Sequence, residues 1–333
     1  MKLTNKYLCM ALIAILALTS ANVPKTTTVF IIGDSTAANK KIDEGKQERG
    51  WGMVLQGFFS EEIYVENHAV NGRSTKSFID EGRWDVVLSR IKPGDYVIIQ
   101  FGHNDEKPQP ERHTDAGTTF DANLTKFVEE TREKGGIPIL MSPVVRRNFH
   151  IKAEEQADDE ALRDSKFHFE EENSDTLVDT HGAYRFSARN VAAETQCVYV
   201  DANKITHDIE QSFGVEGSRK LHMWFKPGEH PSMPEGRQDN THYSVFGAHV
   251  VASALSKALA EKIPQLAKSL RDYDYIVASN GTGNYMTVED ALQDIPSGIM
   301  TKILVLEGSF KKPVVPSDKK VEFVFPEGKG FVN

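Results

Sequence analysis

An α/β fold, with a parallel sheet covered by helices on both faces, is predicted by three features of the sequence. Short apolar runs rich in β-branched and aromatic residues recur between Val29 and Val200. They alternate with longer segments that carry apolar residues at helical spacing, the order that generates βαβ units. Glycine and proline pairs such as Pro93-Gly94 and Gly135-Gly136 mark the joints.

The first run, Val29-Phe30-Ile31-Ile32, leads without a polar break into Gly33-Asp34-Ser35-Thr36-Ala37. It reads as a buried strand presenting a serine at its carboxyl edge, where open parallel sheets bind ligands. Trp51 to Phe59 is apolar at helical spacing and is expected to cover one sheet face. Ile63-Tyr64-Val65 begins a second strand that runs into Glu66 to Ser74, and Asp95 to Phe101 forms a third, ending in Gly102-His103-Asn104-Asp105. A helix over Thr119 to Glu133 precedes a fourth strand, Ile137 to Met141. A helix around Tyr184 to Glu194 leads to a fifth strand near Val198, with Cys197 inside it, and a last helix spans Ser244 to Leu270, broken at Pro264. The acidic interval Lys152 to Asp175 lacks apolar periodicity and reads as a solvated insertion or a lid.

The chain has 333 residues, 39% hydrophobic and 26% charged, with a formal net charge of −9. Such a chain is globular, and its acidity argues against nucleic-acid or anionic-membrane partners. Residues 1–21 have the layout of a secretory signal peptide: basic Lys2 and Lys6, an apolar run from Leu8 to Leu18, then small Thr19-Ser20-Ala21. A buried amphipathic helix would need a polar face that this run lacks. The mature protein is therefore expected to be secreted or periplasmic, with no membrane segment. Cys197 would be its single cysteine, which excludes an intrachain disulfide and a cysteine metal cluster.

A hydroxyl nucleophile needs a base within hydrogen-bond reach, a group orienting that base, and donors for the developing oxyanion. Ser35 is the candidate nucleophile. In Asp239-Asn240-Thr241-His242 the spacing lets the Asp239 carboxylate fold back to the imidazole Nδ1–H and leaves Nε2 to face a serine. Gly72 can bring a backbone N–H close to a ligand, and Asn104 can offer its side-chain amide. Each has a plainer reading: His242 as a helix cap, Gly72 as a turn glycine, Asn104 as a turn former. All of them fall at strand ends or at the start of the final helix, on the same sheet edge as Ser35, and that convergence favours chemistry.

Gly33-Asp34-Ser35, Gly72, Gly102-His103-Asn104-Asp105 and Asp239-x-x-His242 together resemble the four blocks of the SGNH (GDSL-type) hydrolases. The stretches Asn67 to Ser74, Ser142 to Arg147, Lys226 to Glu229 and Asp239 to Ser244 resemble rhamnogalacturonan acetylesterases more particularly. The resemblance implies a flavodoxin-like three-layer fold with a five-stranded parallel sheet. It also implies Ser35 as nucleophile, His242 as base and Asp239 as its orienter, with the Ser35 and Gly72 N–H groups and the Asn104 amide as oxyanion hole. Ester cleavage by these groups calls for no metal or redox cofactor. His103 would either brace its loop or touch substrate, and Asp34 is expected to bond locally and fix the Ser35 turn. Arg73, Arg146 and Arg147 are candidate contacts for an acidic sugar, or else solvated surface.

A composition shift follows Arg271. Tyr275 to Val288, with Ala291-Leu292 and Pro296, resembles the opening of a pectin methylesterase, a family of right-handed parallel β-helices. That family's catalytic residues lie in later coils that this chain does not reach, so no such site transfers. The expected organisation is a signal peptide (1–21), an esterase domain (22–270) and a short, incomplete β-helix-like segment (271–333). That segment shows no repeat long enough to close a second core, and should be weakly anchored, partly ordered or leaning on the esterase domain. The expected function is an exported esterase that deacetylates a pectic polysaccharide or oligosaccharide. A lipase or thioesterase of the same fold, or a non-catalytic carbohydrate-binding protein, are the alternatives.

Overall fold

The computed structural model describes residues 26–42, 46–152, 167 and 172–332. The segment expected to be a signal peptide and most of the acidic interval lie outside the described residues. The strands in chain order are β1 Thr27–Gly33, β2 Glu48–Arg49, β3 Ile63–Asn67, β4 Tyr96–Gln100, β5 Ile137–Met141, β6 Val198–Val200 and β7 Tyr243–Ser244. Three more follow, β8 Tyr275–Ala278, β9 Met300–Glu307 and β10 Lys320–Val324. A five-stranded parallel sheet has the order β3-β1-β4-β5-β6.

Alternation along the strands supplies two apolar faces. Val29, Ile31, Ile98, Ile139 and Met141 face Trp51, Val54 and the Val245–Lys262 helix. Phe30, Ile32, Val97, Ile99 and Leu140 face the Thr119–Glu133 and Tyr184–Thr195 helices, with Trp84 and Phe78. The sheet is thus dry on both sides, and a group of buried polar side chains that includes Asp34, Ser35, His103 and Asn104 stands at its carboxyl edge.

Several elements depart from the expectations. The Trp51 to Phe59 stretch is an α-helix over Trp51–Val54 followed by a 3₁₀ turn over Leu55–Phe58. Gly57 lies there against Ile276, whose Cδ1 would be only 2.4 Å from a Cβ at that position. Cys197 precedes β6 instead of lying within it, because Gln196 closes the preceding helix in the left-handed conformation, φ 52°. An unforeseen helical stretch, Ala202–Ser218, broken by a kink at Gly214 (φ 67°), escapes a search for apolar periodicity because its buried face includes Asn203, Thr206 and Glu210.

The C-terminal segment forms a three-stranded parallel sheet, β10-β9-β8. A helix, Val288–Asp294, separates β8 from β9. Contrary to the expectation that no second core closes, Val277, Ile303 and Val305 pack on Val288 and Leu292. The alternate residues Ile276, Ala278 and Leu304 join the core of the larger sheet. Arg49 Nε donates to Gly281 O at 2.8 Å, and a His249 ring nitrogen lies 3.1 Å from Thr282 O. The segment leans on the first sheet's helices through both apolar and polar contacts.

Candidate active site

Gly33 ends β1 where a Cβ would meet Gln100 O at 2.7 Å, so only glycine lets β1 and β4 close at this point. Asp34 is fully buried, and its Oδ1 accepts from Thr36 N at 2.9 Å and Thr36 Oγ1 at 2.7 Å. This local fixing turns Ser35 toward a cavity of about 470 Å³ lined by Gly72, His103, Asn104, Arg146 and His242, among others.

The Ser35 hydroxyl lies 2.8 Å from His242 Nε2, although 207 residues separate them in sequence. His242 Nδ1 lies 2.9 Å from Asp239 Oδ2, and the backbone N–H groups of Thr241 and His242 donate to Asp239 Oδ1 at 3.0 and 2.8 Å. The carboxylate beside Nδ1 favours the tautomer protonated there, which leaves Nε2 to accept from the serine. Burial alone would raise the Asp239 pKa; the charges of His242 and Arg237 and the hydrogen bonds outweigh it and hold the carboxyl far below its ordinary range. Such an arrangement can draw a proton from an attacking serine while a fixed anion stabilises the imidazolium.

Gly72 sits after β3 at φ +74°, a left-handed conformation that suits glycine, and open space surrounds its missing side chain. The Asn104 amide donates to Arg73 O at 3.2 Å, which ties the loop after β4 to the loop after β3. Ser35, Gly72 and Asn104 therefore border one space.

The remaining candidates separate. The His103 Nδ1 is 3.2 Å from Asp34 Oδ2, and its ring meets His181 edge-on at 4.5 Å. Burial, with His181 and Arg146 nearby, outweighs Asp34 and lowers its pKa to about 4, so it is neutral at pH 7. It both braces the loop and borders the cavity. Arg146 also lines the cavity, paired with Glu106. Against burial, Arg146 and His181 bring the Glu106 pKa down to about 2.

Arg73 turns to Glu81 at 3.0 Å and is not among the residues lining that cavity. Arg147 is neither solvated surface nor a cavity residue. It is 1% exposed, pairs with Glu172, donates to Ser218 Oγ at 2.9 Å, and lies over the Phe149 and Trp224 rings. Glu172 also bonds Arg219 at 2.6 Å, so the described end of the acidic interval is an ion-paired anchor and not free surface.

Sequence reasoning missed Glu48, Lys107 and Arg237, which also line the cavity, and Lys40, which pairs with Glu48. Arg237 stands two residues before Asp239, the one local signal that could have found it; Glu48 lies in no motif.

Comparison with known proteins agrees with this architecture. Residues 31–234 match the GDSL-like lipase/acylhydrolase family. The chain is 37% identical over 249 residues to the rhamnogalacturonan acetylesterase RhgT of Bacillus subtilis (strain 168), covering 75% of this chain and 94% of that one. It is 30% identical over 246 residues to the probable rhamnogalacturonan acetylesterase YesY of the same strain, covering 73% and 96%. The crystal structure of YxiM from Bacillus subtilis superposes with a TM-score of 0.54 at 23% identity, over 71% of this chain and 57% of that one. The chain belongs to the GDSL-like lipase/acylhydrolase (SGNH) family. Its class is that of the carboxylic ester hydrolases.

Proposed function

We propose that the protein is an exported acetylesterase that removes acetyl groups from a rhamnogalacturonan-type pectic polysaccharide. The observation that carries the proposal is the continuous Asp239–His242–Ser35 hydrogen-bonded chain, bordered by Gly72 and Asn104. In the first half-reaction, Ser35 Oγ attacks the acetyl carbonyl and His242 Nε2 takes its proton. The Ser35 and Gly72 N–H groups and the Asn104 amide receive the oxyanion. The imidazolium then protonates the departing sugar oxygen, leaving acetyl-Ser35. Water, deprotonated by His242, attacks the acetyl-enzyme, and acetate leaves as Ser35 regains its proton.

The names of the two Bacillus relatives support an acetylated rhamnogalacturonan as substrate. The cavity lining carries Lys107, Arg146 and Arg237 against the one carboxylate of Glu48, and although Arg146 and Arg237 are ion-paired, this positive excess suits a polymer that carries carboxylates. Export rests on the pattern of residues 1–21, and intact mass of the secreted form checks it. In this organisation residues 22–270 are the catalytic domain and 271–333 a docked accessory segment. Acetate release from acetylated rhamnogalacturonan, homogalacturonan and xylan tests the substrate class. The first should be hydrolysed fastest; a preference for xylan, or for long-chain acyl esters, would overturn the reading.

A further inference from the structure

Asp239 and Gly72 belong to different loops, yet a run of charged side chains joins them. Arg237 Nη2 lies 2.6 Å from Asp239 Oδ2 and 2.9 Å from Glu48 Oε2. The other Glu48 oxygen pairs with Lys40 Nζ at 2.8 Å, and the same ammonium donates to Asn71 Oδ1 at 2.7 Å. Asn71 immediately precedes Gly72.

We infer that Glu48 is a positioning residue for ester cleavage, coupling through Lys40 and Arg237 the loop that presents the Gly72 N–H to the carboxylate that orients His242. The inference rests on the roles proposed above for Ser35, His242 and Gly72. Three observations support it. First, Glu48 is fixed by its own backbone, since β2 pairs with β7 and places Glu48 opposite Ser244, two residues after His242. Second, nothing lies within 4 Å of a Cβ built at Gly72, so no side chain packs on the turn from that side. Polar ties reach it instead, among them Lys40 Nζ to Asn71 Oδ1.

Third, the charges balance. Arg237 against Asp239 would weaken the field that stabilises an imidazolium at His242, and Lys40 adds a second cation nearby. Glu48 lines the same cavity as His242 and restores a negative charge. Burial alone would raise its carboxyl; Lys40, His242 and Arg237 instead bring it down to about 2, so it stays ionised at neutral pH. The Lys40 and Glu48 side chains are only 5% and 20% exposed, so solvent screens this balance weakly.

Glu48→Gln, Lys40→Met and Lys40→Arg, compared on p-nitrophenyl acetate and with a boronic acid as tetrahedral analogue, test the inference. Glu48→Gln and Lys40→Met should each lower kcat by about tenfold or more with KM within about twofold. Boronate affinity should weaken in step with kcat. Lys40→Arg, which can still bridge Glu48 and Asn71, should recover most of the loss. A fall in Tm with unchanged kcat and boronate affinity would make the run purely structural and overturn the inference. If Ser35→Ala kept wild-type activity, the reading of the whole site would fall with it. If Ser35→Ala is inactive while Glu48→Gln keeps wild-type kcat, the network alone is overturned.

Discussion

The two parallel sheets of this protein differ in what stands at the carboxyl ends of their strands. Both bury alternate apolar residues, Val29 and Ile31 in the larger and Val277 and Ile303 in the smaller. Beyond β1, β4 and β5 of the larger sheet, the buried set includes Asp34, Ser35, His103, Asn104 and Arg146. Beyond β8 and β9 the chain surfaces at Ser279, Asn280 and Gly308, all exposed. A parallel sheet supplies an edge; a reactive site needs that edge enclosed, so that polar groups are held dry and in place before substrate arrives.

The largest test of that contrast is a serine at each edge. Ser35→Ala should reduce ester hydrolysis by about 10⁴-fold or more, by analogy with loss of the nucleophile in other serine hydrolases. Its Tm should stay near that of the parent, because only the contact to His242 is lost. Ser279→Ala, at the exposed edge, should leave the rate unchanged. Equal effects of the two would remove the distinction between the edges.

How far the sequence carried the reading depends on the kind of residue. The strands ending at Gly33, Gln100 and Met141 were legible because they are continuous apolar runs bounded by glycine or proline. Ser35, Asp239 and His242 were legible because motif spacing and strand ends coincide. Glu48 and Lys40 were not, since their pairing depends on a two-residue strand that meets β7 from almost 200 residues away. Arg147 was misread for a similar reason. Nothing local reveals that Glu172, Ser218 and Asn240 converge on it. The second core was missed because Val277, Val288 and Ile303 form it across separate short pieces instead of one periodic stretch.

A pair of arginines sharpens the difference between enclosed and open polar groups. Arg147→Met should destabilise the fold by about 3 kcal/mol, since Glu172, Asn240 and the Val215 carbonyl lose a buried cationic partner. Arg73→Ala should cost no more than about 1 kcal/mol, because its pair with Glu81 is solvated on both sides. Urea denaturation measures both. An Arg147→Met protein of normal stability but raised KM on the polymer would place Arg147 back among substrate contacts.

A further effect concerns pH and reaches both sheets. Burial, only partly offset by Asp34, lowers the His103 pKa to about 4 beneath the cavity. Burial, only partly offset by the Val245 and Thr282 carbonyls, lowers His249 to about 4 where the C-terminal segment docks. A histidine whose folded pKa lies below its unfolded value of about 6.5 contributes its full stability above that pH. The contribution is lost as pH falls toward 4, because the unfolded chain takes up the proton first. Each histidine should account for on the order of 3 kcal/mol across that window. His249→Phe should flatten the stability profile and spare the segment in particular. Limited proteolysis reads this directly: residues 271–332 should be cut faster at pH 5 than at pH 7 in the parent, and at similar rates in His249→Phe. Equal cutting of the parent at both pH values would mean that apolar packing of Ile276, Ala278 and Leu304 alone holds the segment, with no titrating latch.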